Sequence, residues 1–448
     1  MLKTENKGGF AMTKCTIEQF EFPGLKRRQI ISQFSGGAIT SDAGGMLLRQ
    51  IDRRLGLTKS VRKVLHDPRR QKSCDHSLLS LVRQRIYGLA LGYEDLNDHQ
   101  VLRNDPAFQT AIEQDSELAS ASTLCRLENR ADRQTALAIH QVIIEQFIAS
   151  KTSVPSELVL DFDATDDRVH GRQEGRFFHG YYDHYCFLPL YVFCEDQLLV
   201  SYLRRSKIDG AKHSWAILSL LVKRFRKEWP DVRIIIRADS GFCRHHMLTW
   251  CERHNVDYII GIAKNKRLKE TAAKLIDKAE QDFESSKEKQ RLFEWVRYGA
   301  RSWGSKRWVI VKAEHSAKGP NPRFVISNLK RDAQKLYDDL YCARGDMENR
   351  IKEQQLCLFA DRTSCHAWYA NQFRLLLSSL AYMLIEGIRR LALCGTELAR
   401  AQSSTIRLKL FKIGAVIVRN TRCIRFLMSS NYPYKVIFQK VAQRLCMT

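Results

Sequence analysis

The sequence predicts a mixed α/β protein, and three observations lead there. Hydrophobic residues make up 44% of the 448 residues and charged residues 27%, the balance of a chain that buries an ordinary core. Apolar residues recur at helical spacing through the first third of the chain. Past residue 155 they contract into short runs rich in β-branched and aromatic residues, two of which end in aspartate. A chain this long is expected to divide into two or three domains.

Taken in order, residues 1–152 are expected to be mainly helical. "SDAGGMLLRQIDRRLGL" (41–57) opens on Ser41-Asp42 as a helix cap, and Met46, Leu47, Ile51, Leu55 and Leu57 follow at helical spacing. Helical patterns continue through 76–92 and 122–148. In "SASTLCRLENRADRQ" (120–134) a cap at Ser122 or Thr123 would offer Arg126, Arg130 and Arg133 outward. That segment reads either as a recognition helix against DNA or as an exposed, salt-bridged helix. Over 153–285 the strand-like runs "ELVLDFDAT", "CFLPLYVFCEDQLLVSYLR", "VRIIIRADSGF" and "VDYIIGIAKN", with a helix over 213–227, predict a sheet covered on both faces. Residues 286–331 carry three strand-like pieces turned by Gly and Pro, which suggests a small antiparallel insertion. Residues 332–448 return to helix. Near the end, Arg407, Lys409, Lys412, Arg419, Arg422 and Arg425 alternate with apolar residues, as a packed strip with either phosphate-contacting or merely solvated basic residues along its edge.

Charge narrows the function. Lys and Arg number 73 against 49 Asp and Glu, a net charge of +24. Such an excess points to a polyanionic partner, nucleic acid ahead of a membrane surface, with simple solubility as the plain alternative. Thirteen cysteines without a C-x-x-C pair argue against a disulfide framework or zinc ribbon and fit a reducing cytoplasm. The opening "MLKTENKGGFAMTKC" has no apolar signal core, and the longest charge-free apolar stretch, Leu375 to Ile385, falls short of the ~18 to 20 residues a membrane span needs. A soluble cytoplasmic protein with no membrane partner is expected.

Against that charge, the acids of "LVLDFDATDDRVHGRQEG" (158–175) stand out. Alternate strand residues share a face, so Asp161 and Asp163 point the same way, toward the crevice where open α/β sheets bind ligands. A second apolar strand, Ile234 to Ala238, ends in Asp239. In "YCARGDMENRIKEQQ", Arg344, Glu348, Lys352 and Gln355 fall on one helical face. Any one of these acids could simply close a strand or cap a helix. Together, three carboxylates from distant points would repel unless a cation lies among them. Magnesium or manganese suits such oxygen donors, and two ions about 4 Å apart can assist in-line displacement at phosphorus. Basic residues would then hold a DNA backbone while carboxylates hold the metals.

These segments carry a resemblance. "LDFDATDDRVHGRQEGRFFHGYYDHYCFLPLYVF", "RADSGFCRHHMLTWCERH", "YCARGDMENRIKEQQ" and "NQFRLLLSSLAYMLIEGIRRLAL" resemble DDE transposases of bacterial insertion sequences, and most nearly the insertion-sequence 1380 family. "SGGAITSDAGG" and "DHSLLSLVRQRIYGLALGYEDLNDHQVLRNDPAF" extend the similarity over nearly the whole chain. The resemblance implies an RNase H-like catalytic core, residues 153–285 and 332–448, interrupted by a β-rich insertion (286–331) and preceded by a helical DNA-binding region (1–152). It implies Asp163, Asp239 and Glu348 as the catalytic, metal-holding triad, with Asp161 a rival for the first place. Related enzymes show a Tyr-x2-Arg-x3-Glu-x6-Lys signature. Tyr341, Arg344 and Glu348 match it, as contacts to phosphate near the cut for the first two. Gln355 stands where the lysine is expected, and Lys352 is the nearest basic residue on that face. The implied activity is binding of terminal inverted repeats, metal-dependent cleavage with two Mg²⁺ or Mn²⁺ ions, and joining of 3′ ends to double-stranded target DNA by a homodimer.

Rival readings remain. "LVLDFDAT" also fits the motif of haloacid dehalogenase-like phosphatases, with Asp161 as nucleophile and Asp163 as general acid, although Cys243 stands where a later acid is wanted. A non-catalytic DNA-binding protein would explain the charge but not the acids. Cys243, His246, Cys251 and His254 are spaced as ligand pairs, yet only Met247 to Trp250 separate the pairs, too few for a zinc finger. There is no phosphate-binding G-x-x-x-x-G-K-[ST] loop. Trp295, Trp303 and Trp308 lie among basic residues and serve either to pack the insertion or, Trp303 foremost, to stack on a base drawn from the duplex.

Overall fold

The computed structural model describes residues 19–447. The chain opens with a hairpin, β1 (Gln19–Leu25) and β2 (Arg28–Gln33), followed by the short β3 (Ile39–Thr40). This part of the front region is therefore not helical. Phe22 pairs across to Ile30 in a pattern of period two, which the helix-centred reading of the N-terminal region overlooked. Helices follow at Gly45–Leu55, Leu57–Val64, Leu78–Leu91, Pro106–Ile112, Ala121–Asn129 and Arg133–Ala149, with a single turn at His99–Leu102. The cap expected at Ser41-Asp42 lies elsewhere. Gly44 precedes the first helix, and buried Asp42 instead accepts from the Tyr93 hydroxyl and pairs with Lys412 at 2.7 Å. The cap expected at Ser122 or Thr123 is shifted to Ser120.

The central sheet begins with β4 (Glu157–Ala164). A small side sheet of β5 (Asp167–Arg168), β6 (Phe177–His179) and β7 (His184–Phe187) branches from its end. Strands β8 (Leu190–Cys194) and β9 (Gln197–Tyr202) turn back beside β4. The helix Ser214–Glu228 leads to β10 (Arg233–Ala238), and His245–Arg253 leads to β11 (Asp257–Gly261). Then come β12 (Gln290–Tyr298), β13 (Arg307–Ser316), the short β14 (Gly319–Pro320) and β15 (Arg323–Ser327). The resulting sheet runs β12-β13-β15-β11-β10-β4-β8-β9, with β14 paired to β13. Within it β4, β10 and β11 are parallel to one another, and every other pairing is antiparallel. The 286–331 segment, expected as a small antiparallel insertion, is antiparallel and continues this sheet. β15 pairs with β11, because backbone donors on an open strand edge are best satisfied by another strand.

Both faces are covered, as the apolar runs of the central strands require. Leu158, Leu160 and Phe162 of β4 join Ile234 and Ile236 of β10 in one core with the helices Ser214–Glu228 and His245–Arg253. On the opposite face Ile235 and Ile259 meet a helical stretch over 333–357, which contains two widened turns, Leu336–Tyr341 and Glu353–Cys357. Further along that face Tyr191 and Phe193 pack under the 24-residue helix Trp368–Leu391, which shares a single core with the N-terminal helices. Buried Glu128 ties these parts together, pairing with Arg85 at 2.8 Å and Arg374 at 2.9 Å. Among the described residues no helix is long and apolar enough to cross a membrane.

The final segment departs from the helical expectation. β16 (Ala415–Arg419) and β17 (Ile424–Met428) form a hairpin that pairs with β3, before a last helix, Lys435–Cys446. The alternation of apolar and basic residues there is the period-two signature of strands. Several of its cations are committed inside the molecule: Arg407 donates to the Ala90 carbonyl at 2.9 Å, and Arg419 to Gln109 at 3.0 Å. Arg422 and Arg425 are exposed.

Candidate active site

Parallel pairing of β4 with β10 brings the strand-end acids together. Asp161 lies opposite Arg237 and Phe162 opposite Ala238, so the next step of the same register sets Asp163 beside Asp239. Adjacent strands are about 4.8 Å apart. Because side chains alternate, the even-numbered residues of β4 enter the core while Val159, Asp161 and Asp163 face the 333–357 helical stretch. That stretch supplies Tyr341, Arg344 and Glu348.

Asp161 and Asp163 share a face but not an environment. Asp161 is 2% exposed and is held by Arg237 through two hydrogen bonds, 2.5 and 2.7 Å, while Arg237 also donates to the Leu340 carbonyl at 2.6 Å. Its carboxyl is raised by burial, opposed by Arg237. This ion pair clamps two strands to the helical stretch that carries Glu348. Asp163 has no ion-pair partner among the described residues. It accepts from its neighbour's backbone, Ala164 N–H, at 2.9 Å. Burial pushes its carboxyl up to about 7; Arg344 opposes this, and Asp239 and Glu348 add to it.

Arg344 is the cation among these acids. Its Nη2 lies 2.5 Å from Glu348 Oε1, and its guanidinium is within electrostatic reach of Asp163 and Asp239 as well. Asp239 caps the turn after β10, accepting from Gly241 N–H at 2.9 Å. The Tyr341 phenol is raised by burial, with Arg344 lowering it and Asp239 raising it, which places it in the same group. Gly261, at the end of β11, permits this approach. A Cβ there would meet Tyr341 Oη at 2.6 Å and Ser240 N at 3.0 Å. No sequence motif singled out Gly261 or Arg237; only their neighbours across strands give them meaning.

The donor set is chemically suited to hard divalent cations, being carboxylates alone and short of positive charge. With Arg344 drawn onto Glu348, no three His, Cys, Asp or Glu side chains among the described residues stand close enough to hold one ion.

Other sequence candidates fall away from this cluster. Trp303 packs on the far core of the sheet, edge to face with Tyr298 at 5.6 Å and beneath the Arg307 guanidinium at 5.2 Å. The more exposed tryptophan is Trp308, covered by Arg297 at 5.0 Å. Arg126 is exposed on the helix Ala121–Asn129 and donates to Thr123 at 3.0 Å. Lys352 is exposed, whereas Gln355 turns inward and donates to the Asp166 carbonyl at 3.0 Å. The widened turn from Glu353 rotates Gln355 out of simple helical phase with Glu348. His246 stacks on Trp215 at 4.8 Å and His254 on Trp250 at 4.3 Å, so neither pair of zinc-like residues converges.

Comparison with known proteins adds the family. A solved structure described as a piggyBac transposase synaptic complex with hairpin DNA aligns at 12% identity and a TM-score of 0.41, covering 83% of this chain and 79% of that one. No curated protein matches. The family model for "Transposase DDE domain group 1" matches residues 22–448, which span both strand-end acids, the helical glutamate and the C-terminal hairpin. The chain belongs to that family of DDE transposases.

Proposed function

We propose that this transposase binds the terminal inverted repeats of its own insertion sequence, cuts the DNA there, and joins the freed 3′ ends to target DNA. The finer assignment, to the insertion-sequence 1380 family of bacteria, rests on the motifs quoted from the sequence. The observation that carries the chemistry is the convergence of Asp163, Asp239 and Glu348 around Arg344 at the carboxyl end of parallel strands. The sheet order β9-β8-β4-β10-β11, antiparallel on one side and parallel on the other, supports an RNase H-like core over 153–285 and 332–448.

In this reading Asp163, Asp239 and Glu348 would hold two Mg²⁺ or Mn²⁺ ions, and the chemistry these would supply is Lewis-acid assistance to displacement at phosphorus. Asp161 is the structural partner of Arg237. Arg344 releases Glu348 as DNA enters and turns its guanidinium to the phosphate beside the cut, with the Tyr341 hydroxyl donating to the same backbone. Exposed Lys352, Arg126 and residues of the front helices add phosphate contacts. Two ends must be handled together, so the active form is a homodimer on DNA.

The test is direct. Purified protein is incubated with its element ends and Mg²⁺, and strand breaks are mapped. Asp239→Asn and Glu348→Gln should bind ends as wild type does and fail to cut. Normal cutting by either variant would refute the triad, and phosphomonoester hydrolysis without DNA cleavage would favour the phosphatase alternative.

A further inference from the structure

The hairpin β1–β2 is an amphipathic ribbon, and among the described residues nothing covers its apolar face. Phe22 lies opposite Ile30 and Phe20 opposite Ser32, so these four share one side of the ribbon. Phe34 continues that side, edge to face with Phe20 at 6.2 Å. Gln19, Glu21, Ile31 and Gln33 make up the other side. Alternation of this kind belongs to strands with one face on a core. Yet every residue of both strands is exposed, Phe20 at 43% and Phe22 at 56%, and Phe34 beyond them at 96%. At about 200 Å² per side chain, these three rings leave roughly 400 Å² of apolar surface in water. A two-stranded hairpin alone is marginal in water, so the ribbon needs a cover.

A groove of matching chemistry lies near the root of the ribbon. It has a volume of about 560 Å³ and runs between β17 and the last helix, Lys435–Cys446. Ile413, Phe426, Leu427, Met428, Tyr432 and Phe438 line it, and Leu427 and Met428 are exposed. The ribbon is joined through residues 34–38 to β3, one edge of the three-stranded sheet whose other edge is β17. A seven-residue ribbon extends about 23 Å, and none of its side chains is buried against its own chain.

Charge excludes DNA as the cover. The cations of the ribbon, Lys26, Arg27 and Arg28, gather at its turn, so the apolar face offers a phosphate backbone no partner. An apolar surface of the protein's own kind is what remains, and the groove supplies it.

We infer that the apolar face of β1–β2 docks in the groove between β17 and the last helix of a second copy of this chain, the two copies exchanging arms reciprocally. The inference rests on the homodimer of the proposed function and gives that dimer an interface. Two arms and two grooves remove roughly 1,600 Å² from water, the standard size of a specific interface. Reciprocal exchange is closed by a twofold axis, so assembly stops at two.

The test is analytical ultracentrifugation of the full-length protein, without DNA and with element ends. Wild type should be a dimer without DNA. Phe22→Asp in the arm and Leu427→Asp in the groove should each weaken dimerisation by about 100-fold or more, since a twofold dimer feels each change twice. Both replace exposed side chains, so the circular dichroism spectrum should stay that of wild type. Phe22→Leu should dimerise within about 10-fold of wild type. Mixing the two charged variants pairs one intact arm with one intact groove, and the mixture should associate at least ~10-fold more tightly than either variant with itself. If the charged variants dimerise as wild type does, or the mixture gains nothing, the exchange falls while the homodimer stands. If wild type and both variants are monomers alone and dimers on element ends alike, the exchange again falls and the homodimer on DNA stands. If wild type cuts its ends as a monomer, the proposed homodimer falls together with the exchange.

Discussion

Replacing Asp161, Asp163 and Arg237 in parallel separates the acid that holds the fold from the acid proposed to act in cleavage. Arg237→Met leaves Asp161 at 2% exposure without either of its two charged hydrogen bonds. Stranding one member of a buried ion pair costs about 3 to 5 kcal/mol, a large share of the ~5 to 15 kcal/mol by which proteins are stable. The same change removes the 2.6 Å bond to the Leu340 carbonyl, one tie that sets the helical stretch of Tyr341 and Glu348 on the sheet. Asp161→Asn keeps the shape and loses the charge, for about 1.5 to 3 kcal/mol. Asp163→Asn breaks no ion pair and should stay within about 1 kcal/mol of wild type. Urea unfolding followed by tryptophan fluorescence gives the stabilities, and end cleavage is measured where all variants are folded. Asp163→Asn should lose at least ~100-fold in cleavage with its midpoint unmoved. Asp161→Asn should show a lowered midpoint and retain cleavage. A folded Asp161→Asn that cannot cut, beside an Asp163→Asn that can, would refute the assignment and exchange the two roles.

Three further outcomes are expected. Mg²⁺ or Mn²⁺ should raise the unfolding free energy of wild type, by about 2.7 kcal/mol at a hundred times the dissociation constant, and should not raise that of Asp239→Asn with Glu348→Gln; equal shifts in both would place the metals elsewhere. Gly261→Ala should fold but cut poorly, because its Cβ would displace the Tyr341 hydroxyl from 2.6 Å; unchanged cleavage would show that Tyr341 need not sit there. His99 is fully buried, and burial, then the Arg85 guanidinium, holds its imidazole well below its ordinary range. Its folded pKa being depressed, its contribution to stability is present above about pH 6.5 and is lost as pH falls below it. His99→Gln should flatten that acid limb in urea titrations, and an unchanged limb would assign the loss to other groups.

The strand ends at Asp163 and Asp239 were legible because apolar runs that stop on an acid have few ordinary explanations in so basic a chain. Glu348 was legible from the spacing of Tyr341 and Arg344. Gln355 was misplaced on that face because its inward turn depends on widened helical turns, which side-chain periodicity does not encode. The front and end hairpins were missed for a related reason. Short two-stranded ribbons give a weak period-two signal beside strong helical neighbours, and β3 is two residues long, defined only by pairing with β16.

By itself the sequence determined which segments bury which faces, the excess of positive charge, and the local motifs that carry acids, since each depends on residues close in the chain. Tertiary structure alone decided that β4 and β10 lie in parallel register, that Arg237 takes Asp161 and leaves Asp163 open, and that Trp303 sits on the far core while Trp368 lines a cavity. Pairing between strands some 76 residues apart depends on how whole faces fit, and no local pattern records it.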